Sequence, residues 1–147
     1  MTVSLFHSAF VAAALSAAAA VASAATLQVN ASGASTGAFF PDSSSAAFAQ
    51  GGARYVSTTI VNGTDLQAVY ATHRFGQLFA YSVPATAGTY AVAMHFAETY
   101  GRNYKDGARV FDVAAGDSPA SLVDVLTDFD VHATAGAANA LTVTRTV

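Results

Sequence analysis

The chain has no cysteine and no tryptophan, and only three prolines in 147 residues. Without cysteine, no disulfide can staple the fold, and an apolar core must hold it instead. A single domain of this length can bury one. Charge is also scarce. Asp, Glu, Lys and Arg make up 10% of the chain, the net charge is −3, and the six Lys and Arg residues are scattered. A nucleic-acid surface needs clustered positive charge, so this balance excludes nucleic acid as a partner. Low charge with 53% hydrophobic residues also excludes a disordered chain. There is no G-x-S-x-G elbow, no phosphate-binding glycine loop and no dinucleotide fingerprint.

What the chain does have begins with an apolar, alanine-rich stretch. Residues Val3 to Ala25 are nearly all small or apolar, and Ala22-Ser23-Ala24 has the small-x-small form of a signal-peptidase site. Residues 1–24 therefore read as a signal peptide, which directs the remainder, residues 25–147, into the secretory pathway (ER lumen, or the extracellular space and cell surface). No basic residue precedes Arg54, so the terminal amine carries the positive end of that leader. The run is short for a membrane span, and alanine gives little drive for insertion; no membrane association is encoded. Asn30-Ala31-Ser32 and Asn62-Gly63-Thr64 match the N-glycosylation acceptor pattern of a glycoprotein.

Beyond residue 25 no 3.6-residue apolar period is sustained. Short alternating runs are separated by Gly, Ser, Asn, Asp and Pro, the pattern of an all-β sandwich. Strands are expected at Thr26–Asn30, Val56–Val61, Leu78–Val83, Tyr90–Ala97, Arg109–Ala114, Ser121–Leu126 and Leu141–Val147, with a long loop over Ala31–Gly52. In the fourth of these, Tyr90, Val92, Met94 and Phe96 share one face and smaller residues the other, so the bulky face should meet the partner sheet.

With no tryptophan, any ring platform must come from six tyrosines and ten phenylalanines. Tyr81 and Tyr90 alternate with core positions and read as structural. Tyr55, Phe75, Tyr100 and Tyr104 lie at strand ends or in loops, where a ring can serve a binding surface. Glu98, Asp106, Asp112, Asp128 and Asp130 offer carboxylates, but a glycosidase needs a defined separation between two of them. His73, His95 and His132 lack the close spacing of metal ligands. Neither a catalytic pair nor a metal is expected.

Taken in order, Tyr70–Gly76 (YATHRFG), Phe79–Pro84 (FAYSVP), Gly88–Tyr100 (GTYAVAMHFAETY), Ala108–Val113 (ARVFDV) and Val125–Asn139 (VLTDFDVHATAGAAN) resemble the malectin domain over most of residues 26–140. The resemblance implies an antiparallel, lectin-like (jelly-roll) β-sandwich that binds glucose-containing oligosaccharides, with no catalysis, cofactor or metal. It carries the family's aromatic platform onto Tyr55, Phe75 and Tyr100. Phe75 stands where a family member has tyrosine, Gly101 stands where a second ring follows the one at Tyr100, and a binding aspartate in a C-terminal loop has no counterpart. The domain is accordingly expected to be incomplete at its C-terminus, lacking its last strand or strands. The alternative is a protein-interaction or adhesion module on the same scaffold, with sugar binding lost.

Overall fold

The computed structural model describes residues 2–11, 14–19, 26–43 and 48–147. The strands are β1 (Thr2–Val11), β2 (Ala14–Ala19), β3 (Leu27–Asn30), β4 (Phe39–Pro41), β5 (Phe48–Val56), β6 (Thr72–Ser82), β7 (Tyr90–Phe96), β8 (Phe111–Gly116), β9 (Val123–Phe129) and β10 (Leu141–Thr146). Two short helices, α1 (Gln67–Tyr70) and α2 (Val131–Ala135), and a 3-10 turn at Gly101–Asn103 fill the connections. One sheet has the order β5-β6-β1-β8-β9 and the other β10-β7-β2-β3-β4. Every pairing is antiparallel except β3 with β4.

The core lies between the sheets. Phe79, Tyr81, Phe111 and Val113 come from one sheet, Val29, Val92, Met94 and Phe96 from the other, and all are buried. Phe96 meets Phe111 and Phe129 at ring-centroid distances of 5.6 and 5.5 Å. Truncating a fully buried phenylalanine such as Phe96 costs about 3–5 kcal/mol, because lost transfer energy and the remaining cavity add. The alternation read at Tyr90–Phe96 is the one observed: Val92, Met94 and Phe96 face inward.

Several expected boundaries are corrected. The loop placed over Ala31–Gly52 contains β4 and the first half of β5. The strand expected at Val56–Val61 does not continue beyond Val56, the last residue of β5, because the backbone groups that follow have other partners. Ser57 donates its N–H to the Ala71 carbonyl at 2.9 Å. Val61 donates to the Gln67 side-chain oxygen at 3.0 Å, and its carbonyl accepts from the Gln67 amide at 2.6 Å. The Gln67 side chain, from the first residue of α1, thus takes the Val61 groups that a ladder would have used. β6 extends back to Thr72 and carries a bulge against β5, where Gly51 and Gly52 adopt φ of 74° and 68°. Those left-handed angles are open to glycine at little steric cost. β8 and β9 each begin two residues later than expected.

The stretch read as a leader also carries structure here. β1 is the middle strand of its sheet, pairing with β6 and β8, and β2 is the middle strand of the other, pairing with β7 and β3. The cleavage position after Ala24 lies outside the described residues. Among the described residues, no helix is long and apolar enough to cross a membrane.

Candidate functional site

The end of the sandwich where β5 and β7 terminate gathers an aromatic and ionic cluster. Tyr55 and His73 are direct partners on β5 and β6, so their side chains share a face. Their rings stack at 5.8 Å and 18°. Tyr100, just past β7, meets Tyr55 edge to face at 5.9 Å and 82°, an arrangement favoured by ring quadrupoles. Both tyrosines are half-buried. Phe75, also half-buried, lies two residues beyond His73 and pairs with Ala53 rather than with Tyr55. The structure thus joins Tyr55 to Tyr100 and sets Phe75 one pleat away on the neighbouring strand.

Beneath this surface lie charged and polar groups that the sequence did not single out as buried. Glu98 is 2% exposed and its carboxylate lies 2.9 Å from Arg109 Nη1. Glu98 Oε1 accepts the Tyr100 backbone N–H at 2.9 Å. The Asn103 amide, oriented by its partners, turns its oxygen toward Arg109 and accepts from Nε at 3.3 Å and from Nη2. Burial weakens both charges of the pair. Desolvation raises the Glu98 carboxyl above the ordinary carboxylate range despite the Tyr100 N–H and Arg109, and it lowers Arg109 to about 10 despite Glu98. His73 is fully buried, and its Nε2 bonds the Thr99 hydroxyl at 2.9 Å. Burial, then the Arg109 charge, pushes its imidazole down to about 4, so it is neutral at pH 7.

Two further networks fix the surrounding loops. Asp42, 4% exposed, accepts from Arg74 Nη2 at 2.7 Å and from the Ser32 N–H at 2.8 Å, tying the segment after β3 to β6. Asp130 caps α2 by accepting from Ala133 N–H at 3.1 Å, and its other oxygen accepts from Gly107 N–H at 2.6 Å. Beside it Tyr104 stacks on His132 at 6.3 Å, and His132 Nδ1 lies 2.9 Å from Asp106 Oδ1.

Among the expected carboxylates, Asp130 lies close enough to Glu98 and Arg109 to act on both electrostatically, whereas Asp112 serves another group. Asp112 accepts from the Asp128 backbone N–H at 2.7 Å, a structural role. It sits on β8, whereas Glu98 follows β7 in the other sheet. Among the described residues, no three His, Asp or Glu side chains form a group able to hold a metal. Of the acceptor asparagines, Asn30 is 2% exposed and its amide donates to the Ala34 carbonyl at 2.9 Å, whereas Asn62 is exposed.

Comparisons with known proteins agree with this architecture. A family model described as Malectin domain matches residues 21–147. A kinesin-like protein KIN-14E from Oryza sativa subsp. japonica is 36% identical over 115 residues, which cover 75% of this chain and 11% of that protein. The chain therefore spans only a small part of that relative. No solved structure matches.

Proposed function

Because the chain belongs to the malectin-domain family, a family of carbohydrate-binding modules, we propose that it binds glucose-containing oligosaccharides without transforming them. Tyr55 and Tyr100 would form the ring platform, with Phe75 at its edge. The observation that carries this reading is the edge-to-face contact of Tyr55 and Tyr100 at 5.9 Å. One ring is backed by His73 and the other is held by Glu98 through its backbone. A platform fixed in this way loses little entropy on binding, and its half-exposed faces can stack on the C–H face of a pyranose. The leader-like composition of residues 1–24 supports delivery to the secretory pathway, and because the same residues form β1 and β2, the module that binds sugar there keeps them or strands that replace them.

Glycan-array binding followed by calorimetry tests the reading. Tyr55→Ala and Tyr100→Ala should each abolish or greatly weaken binding; unchanged affinity in both would reject the platform.

A second reading, a protein-interaction module, draws on the rim. Space opens beside Gly101, where an added Cβ would meet nothing within 4 Å. Val56 and Ile60, in the stretch that follows Tyr55 in the chain, are 54% and 72% exposed. Absence of any response to glucans in calorimetry would favour it.

A further inference from the structure

The loop between β7 and β8 carries a second exposed ring, Tyr104, which the platform of Tyr55, Phe75 and Tyr100 does not use. Tyr104 is 38% exposed. His132 lies near-parallel beside it, offset, with ring centroids 6.3 Å apart and an angle of 21°. Asp106 stands at the edge of this pair. Its side chain is 76% exposed, and one oxygen is held 2.9 Å from His132 Nδ1. An aromatic face flanked by a solvent-facing carboxylate suits a neutral sugar ring. The ring takes the C–H face, and the carboxylate accepts from hydroxyls in charge-assisted bonds.

The loop holds this arrangement ready. Asn103 donates its N–H to the Tyr100 carbonyl at 2.8 Å and Tyr104 to Gly101 at 3.4 Å, which places both tyrosines on one 3-10 turn. Lys105 donates to Asn103 at 2.7 Å, and Gly107 is anchored on Asp130 at 2.6 Å. Arg109, paired with Glu98 under Tyr100, is also in contact with the Asn103 amide. A rise of about 2 Å per residue over the four steps from Tyr100 to Tyr104 separates their backbone positions by roughly 8 Å, on the scale of a short oligosaccharide.

We propose that Tyr104, beside His132 and flanked by Asp106, is a second sugar subsite that takes a further ring of an oligosaccharide whose first ring rests on Tyr55 and Tyr100. This inference depends on the carbohydrate-binding reading and adds a preference for ligand length to it.

The test compares an α-linked glucose disaccharide with the corresponding tetrasaccharide by calorimetry. The wild type should bind the tetrasaccharide about tenfold more tightly, a difference of roughly 1.4 kcal/mol. Tyr104→Ala should remove most of that gain, Asp106→Asn should reduce it, and Tyr104→Phe should retain it. Far-UV circular dichroism and thermal midpoints confirm that each variant folds, and the two conservative variants keep the test informative if Tyr104→Ala does not. A wild type that binds both ligands equally, or a Tyr104→Ala variant that keeps the full gain, overturns the subsite alone. A wild type that binds neither ligand overturns the carbohydrate reading, and the subsite falls with it.

Discussion

Tyr100 donates its backbone N–H to Glu98 Oε1 at 2.9 Å, while the other oxygen of that carboxylate lies 2.9 Å from Arg109 Nη1. The ring offered to the ligand is therefore set by a buried charge two residues earlier. Glu98→Ala should cost about 3 kcal/mol of stability, because it leaves Arg109 buried without its counter-charge. It should also weaken glycan binding, since the Tyr100 N–H loses its acceptor. Glu98→Gln keeps the shape and an acceptor oxygen, so it should cost less on both counts. Denaturant unfolding and calorimetry on the same samples measure the two effects.

His73 makes stability depend on pH. The unfolded chain takes up a proton near pH 6.5, whereas the folded chain takes it up only near pH 4. The contribution of His73 is therefore complete above pH 6.5 and is lost as pH falls toward 4, amounting to about 3 kcal/mol. Glu98, with its raised value, acts in the opposite direction. Substituting His73→Phe, which retains a ring under Tyr55, should lower the slope of stability against pH in this window by about one proton. Urea unfolding of both proteins from pH 4 to 7 reads that difference directly.

The two acceptor asparagines should behave differently in a eukaryotic secretory host. Asn30 is buried and its amide nitrogen is already bonded to the Ala34 carbonyl. Asn62 is exposed, in a turn where Gly63 adopts φ of 75°. Any glycan should therefore map to Asn62 by mass spectrometry, and Thr64→Ala should remove it. A glycan found on Asn30 would contradict the burial described here.

How far the sequence discloses all this depends on the range of the interaction. The inward face of Tyr90–Phe96 was legible because alternation along a strand is local. The strand expected at Val56–Val61 does not continue beyond Val56 because a side chain several residues on, Gln67, competes for its backbone. No propensity scale sees that competition. Tyr55 and Tyr100 could be named one at a time as strand-end or loop aromatics, but their contact joins segments far apart in the chain. The burial of His73, Glu98 and Arg109 left no signal, since a lone polar residue reads as exposed. A carboxylate two residues after one strand and an arginine two residues before another do not announce such a pair.

The N-terminus offers a further prediction. If residues 1–24 act as a leader, the exported protein should begin at Ala25, which intact-mass measurement would show. Export with Met1 retained would instead keep β1 and β2 in the mature protein and would reject the leader.

The placement of β1 and β2 at the middle of their sheets governs how the domain melts. Without them, β5-β6, β8-β9, β10-β7 and β3-β4 remain as four separate ribbons, and a two-stranded ribbon is marginal in water. With both slots occupied, by these residues or by strands that replace them, the ribbons unfold as one body in a single sharp transition. With the slots empty, each ribbon would loosen at its own temperature, and calorimetry would record a broad transition in place of a peak.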